Sequence, residues 1–95
     1  MVDNFKVRDA AEQRVVEFLI VELETGLTFS RIASDSRYSD KRDRNRANAR
    51  KAYDTALGWT KRLSLNAEDS LEVGEKLKKL KAALEKLGER FDANR

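Results

Sequence analysis

Residues 45–63 read NRANARKAYDTALGWTKRL, and the spacing of their small and aromatic side chains decides the fold. Asn45, Ala49, Ala52, Ala56, Trp59 and Leu63 recur every three or four residues, with Tyr53 and Thr60 beside them, which is the period of one helical face. That face is made of alanines rather than leucines, so it admits a neighbouring helix at close range. Gly26 supplies the matching small residue. Folding the chain antiparallel about position 37 sets Gly26 against Ala49, Glu22 against Tyr53, Leu19 against Ala56, and Val15 or Val16 against Trp59.

Towards the N-terminus, the pattern predicts a first helix over about 4–33, capped by Asp3 or Asn4. Val16, Leu19, Ile20, Leu23 and Leu27 make one apolar stripe, and Ala11, Val15, Phe18, Phe29 and Ile32 make an adjoining one. Two stripes predict two buried contacts, as for a helix held between two others. Gly26 costs about 1 kcal/mol relative to alanine inside a helix. The period continues past it through LTFSRIA, so the helix is expected to run through Gly26 and to use it for close packing.

Residues 34–39, SDSRYS, predict the first connection. Ser39 or Asp40 then caps a second helix over about 40–63, whose polar first turns, DKRDRNR, are expected to project past the core. Asp40 and Arg44 stand at i,i+4 and partly offset the cost of arginines near a helix N-terminus. Ser64 and Leu65 make a short second connection, and Asn66 with Asp69 resembles a capping box. A third helix follows over about 67–91, with the seam Val73, Leu77, Leu80, Leu84, Leu87 and Phe91 and the expected pairs Glu72–Lys76 and Glu75–Lys79. Gly88 and the tail DANR predict fraying at its end. Three helices of comparable length joined by short connections imply an all-α, three-helix antiparallel up-down-up bundle in a single domain.

Composition narrows the function. The chain has 95 residues, 40% hydrophobic and 39% charged, with four glycines and no proline, cysteine or histidine. Disulfides and thiolate chemistry are excluded, and the commonest general base and transition-metal ligand is missing. No catalytic constellation, metal site or nucleotide loop is legible, so the chain is expected to be non-enzymatic and without a cofactor. No apolar run approaches the ~18 residues that span a bilayer. With no secretory signal pattern at the N-terminus, no membrane association is expected and a cytoplasmic location is.

Charge is unevenly distributed. The overall excess is +3. Residues 1–30 carry three cations against six acids, and residues 31–51 eight cations against three acids. Arg37, Lys41, Arg42, Arg44, Arg46 and Arg50 are therefore the candidate interaction patch. They suit phosphates, with Tyr38 and Tyr53 nearby for stacking. They suit better a solvated helix end paired with Asp35, Asp40, Asp43 and the acidic first helix. No nucleic-acid signature accompanies them, so nucleic acid is the less favoured partner.

Gly26 followed by Phe29, and Ala49, Tyr53 and Ala56 on the next helix, resemble a single tetratricopeptide-repeat hairpin over about 35 residues, with a longer gap between its helices and no closing proline. The resemblance implies an interaction module without catalytic activity. Three further features bear on binding. Glu22 interrupts the second stripe of the first helix, where it is expected to meet the Tyr53 hydroxyl, Arg46 or Arg50. Trp59 is expected in the core, although tryptophan also anchors interfaces. The seam of the third helix can zip to a second copy as well as to its own bundle, making a homo-oligomer an open expectation. A protein-interaction or adaptor role is the leading expectation, and nothing in the sequence identifies the protein partner.

Overall fold

A computed structural model describes residues 10–91. Three helices form within them: α1, Ala10–Asp35; α2, Ser39–Arg62; and α3, Ala67–Lys86. The expected cap of the first helix at Asp3 or Asn4 lies outside the described residues. Phe18 meets Trp59 towards one end of α1, and Gly26 meets Ala49 and Ala52 further along, so α1 and α2 are antiparallel. α3 runs back against α2 and parallel to α1, with Lys76 beside Glu24 and Lys86 beside Ser34. The architecture is the all-α up-down-up bundle that the apolar periodicity predicts.

The core stripe of α1 is Val16, Leu19, Leu23, Gly26, Ser30 and Ala33, a 3-4-3-4-3 spacing. Ala49, Ala52, Tyr53 and Ala56 face it from α2, and Val73, Leu80 and Leu84 from α3. Each fully buried leucine contributes roughly 1.5–3 kcal/mol before its ordering entropy is subtracted. The small residues determine where the helices converge. A Cβ at Gly26 would stand 2.7 Å from Leu80 Cδ2, 3.0 Å from Ala52 Cβ and 3.6 Å from the Ala49 carbonyl oxygen. All three helices therefore meet at this glycine, and α1 continues through it, as the sequence pattern predicts.

The second stripe of α1 differs from expectation. Val15 and Phe29 are half-buried, while Ala11, Phe18 and Ile32 are exposed. The reason is geometric: Gly26, Ser30 and Ala33 are small enough for α2 and α3 to converge on one stripe, so the other is left without a second neighbour. Ser30 is buried at little cost because its hydroxyl donates to the Leu27 carbonyl at 2.8 Å.

Two helix ends also differ. The cap of α2 falls at Tyr38, one residue before Ser39, and the Tyr38 side chain makes no capping bond, while the Asp40 carboxylate accepts from the Lys41 N–H at 2.9 Å. α3 ends at Lys86, five residues before Phe91. Gly88 adopts φ +97, its N–H donates to the Glu85 carbonyl at 3.0 Å, and the Glu89 N–H donates to the Leu84 carbonyl at 3.0 Å. This is the Schellman arrangement, in which a left-handed glycine ends the helix and reverses the chain. The start of α3 follows the sequence pattern, with the Asn66 side chain accepting from the Asp69 N–H at 2.8 Å. Lys76 pairs with Glu24 of α1 at 3.1 Å rather than with Glu72. Arg46 pairs with Asp43 at 3.9 Å, while Arg44 has no described pair with Asp40.

Candidate interaction surface

The reversal at Gly88 carries the chain back across α2, and there it meets two of the six candidate cations. Arg46 Nη1 donates to the Leu87 carbonyl at 3.0 Å, and its Nε stands 3.2 Å from Glu89 Oε2. Arg50 Nη1 donates to Glu89 Oε1 at 2.8 Å and to the Arg90 carbonyl at 3.1 Å, while its Nε binds Asp54 at 3.1 Å. Its guanidinium lies 4.2 Å from the centre of the Phe91 ring, which packs edge-on against Tyr53 at 5.0 Å. Burial pulls the Arg50 pKa down, but the hydrogen bonds to Asp54 and Glu89 outweigh it and raise it above its ordinary value. Burial, aided by Asp54, pushes the Tyr53 phenol up.

Arg46 and Arg50 are thus occupied within the molecule and do not belong to a free patch. Contrary to the expectation from its place on α1, Glu22 does not take them; it stays half-buried while Glu89 holds both arginines. The remaining four candidates divide between positions. Arg37 is exposed in the connection, Arg42 is half-buried, and Lys41 and Arg44 are exposed on the first turns of α2. Arg42, Arg46 and Arg50 follow each other at i,i+4 on the flank facing the returning tail. Lys41 and Arg44 lie on the other flank, towards α1.

That second flank continues along the helix. Lys41, Arg44, Asn48, Lys51, Thr55, Trp59 and Arg62 succeed one another at intervals of three or four residues, and each is exposed or half-buried. Among the described residues Lys41, Arg44, Lys51 and Arg62 have no carboxylate within ion-pair distance; Arg62 lies over the Trp59 ring at 4.9 Å. Across from this row runs the uncovered stripe of α1. Phe18, Thr25 and Ile32 are exposed along it, with Glu22 and Phe29 half-buried. The two rows meet where Phe18 packs edge-on against Trp59 at 6.4 Å. Trp59 remains 37% exposed and Phe18 44% exposed. Trp59 is therefore a rim residue and not part of the core, because the close approach at Gly26 leaves no second layer to bury it.

The resulting face, on the side of α1 and α2 away from α3, is apolar along one edge and cationic along the other. It presents the exposed side chains of Phe18, Ile32 and Trp59, with Phe29 half-buried against the core beneath them, which suits non-covalent contact. Among the described residues no group of three acids is placed to hold a metal ion. Nor is any helix long and apolar enough to cross a membrane.

Lys51, Arg62 and Phe18 are absent from the candidate patch read from sequence, although the regular spacing from Lys41 to Arg62 carries the signal for the first two. Glu89 is also absent from it. Its cue is Gly88, which reads as a helix stop as readily as a point of fraying. Comparisons of the chain with protein-family models, curated proteins and solved structures return no match.

Proposed function

We propose that this protein is a small, non-enzymatic protein-interaction module of adaptor type, and that it binds through the α1–α2 face. The observation that carries the reading is the exposed Phe18–Trp59 pair with Arg62 stacked beside it. Tryptophan and arginine are the residues most enriched where interfaces concentrate their energy. The tetratricopeptide-like spacing of Gly26, Phe29, Ala49, Tyr53 and Ala56 supports the same reading, since such hairpins serve as interaction modules. Phosphate binding by the start of α2 is the weaker reading, because two of its six cations are already held by Glu89.

The test is a photo-crosslinking residue in place of Thr25, which is exposed between Phe18 and Ile32. Irradiation in cells is expected to give discrete protein adducts that disappear when Phe18 and Trp59 are both changed to alanine. Adducts confined to nucleic acid, or adducts indifferent to the double change, would overturn the reading.

A further inference from the structure

The α1–α2 face has two edges of different chemistry, and together they specify an occupant. The α1 edge offers exposed Phe18 and Ile32 with half-buried Phe29 between them, 14 residue steps from first to last, or about 21 Å at 1.5 Å per residue. The α2 edge offers Lys41, Arg44, Lys51 and Arg62, none with a described carboxylate partner. The carboxylates nearest these rows in helical phase are Glu22 and Asp40, so cations predominate. A partner matching both edges is long, straight, apolar on one side and anionic beside it.

We propose that this face docks an acidic amphipathic helix of about four turns, with its apolar side against Phe18, Phe29, Ile32 and Trp59 and its carboxylates along Lys41, Arg44, Lys51 and Arg62. The proposal rests on the protein-interaction reading and adds the partner's chemistry. A helix fits better than a polyanion because the cations line one edge only and the other edge offers aliphatic and aromatic side chains. A second copy fits less well, because its own α2 would bring four more cations to the same face and only a few acids.

Trp59 is the only tryptophan in the chain, so its fluorescence reports from the face itself. The experiment titrates the full chain with a synthetic 16-residue helical peptide carrying leucines at i, i+3, i+4 and i+7 spacing and glutamates elsewhere. A second peptide replaces every glutamate with lysine, and a third probe is a mixed-sequence single-stranded oligonucleotide. The glutamate peptide is expected to shift the Trp59 emission saturably, and the lysine peptide to bind at least tenfold more weakly. R44E combined with K51E, two exposed positions outside the core, should weaken the glutamate peptide at least tenfold while the helical circular dichroism is retained.

Equal binding of the two peptides, or no effect of R44E and K51E, overturns the acidic partner and leaves an interaction module standing. Response to none of the three overturns the acidic-helix proposal alone, since the interaction reading is decided by crosslinking at Thr25, and response to the oligonucleotide alone overturns both. An emission change that depends on protein concentration without any probe identifies a second copy as the occupant and overturns the acidic-helix proposal.

Discussion

Arg50 Nη1 and Glu89 Oε1 stand 2.8 Å apart, although 39 residues separate them in sequence, and the same carboxylate holds Arg46 through its other oxygen at 3.2 Å. One acid thereby fastens the returning tail to α2 and removes two arginines from the exposed basic surface. The side chains of this cluster are 20–35% exposed, between a surface pair worth under ~1 kcal/mol and a buried one whose breakage costs ~3–5 kcal/mol. E89A is therefore expected to lower stability by about 1–2 kcal/mol in urea unfolding. R42Q and R44Q, which remove no described ion pair, should each stay within about 0.5 kcal/mol. Equal loss from both sets would mean that the division between held and free arginines is wrong.

The convergence of three helices at Gly26 predicts opposite outcomes for two glycine-to-alanine changes. At Gly74 an added Cβ meets nothing within 4 Å, so G74A should stabilise by about 0.5–1 kcal/mol through helix propensity alone. At Gly26 the same gain is offset by contact with Leu80 and Ala52, and Leu80 is fully buried. Overpacking costs typically ~1–3 kcal/mol, so G26A should destabilise by about 1–2 kcal/mol net. Parallel thermal melts check both, and a stabilised G26A would show that the bundle can open there at little cost.

These two sites also mark how far the sequence reaches. The pairing of Gly26 with the alanines of α2 was legible because small residues at helical spacing on two segments have one common use. The α3 seam was legible for the same reason as far as Leu84. Beyond it, Leu87 and Phe91 keep the apolar rhythm although the chain has left the helix, so periodicity alone carried the helix five residues too far. The fate of Phe18, Ile32 and Trp59 was not legible. Whether a second apolar stripe is covered depends on whether α3 packs beside α2 or shares its stripe, and that is set by contacts distant in sequence. Individual cations were likewise readable as a patch, but their partition between two flanks required knowing that Glu89 returns.

Gly88 makes that return feasible. Its φ of +97 is a conformation that L side chains rarely adopt, and the nearest atom to an added Cβ is Arg46 Nη1 at 3.8 Å. G88A therefore meets backbone strain rather than a clash, with an expected cost of about 1–2 kcal/mol. If the strain loosens the tail, part of the Glu89 contribution is lost with it. A double-mutant cycle between G88A and E89A should then show a coupling of at least about 0.5 kcal/mol, whereas strict additivity would separate the turn from the arginine cluster.

Tyr53 gives the bundle a dependence on alkaline pH. Its phenol is raised chiefly by burial and then by the Asp54 charge, with Arg50 opposing. The neutral form is the one the fold favours, so the folded pKa lies above the unfolded value of about 10. The contribution is complete below that unfolded value and is lost as pH rises through the folded one, where the phenolate forms against the Phe91 ring and the core. Urea midpoints measured between about pH 8 and pH 11.5 should fall at the upper end. Y53F, which keeps the ring against Phe91 and cannot ionise, should flatten part of that fall. An unchanged slope in Y53F would assign the alkaline loss to other groups and remove the buried phenol as its cause.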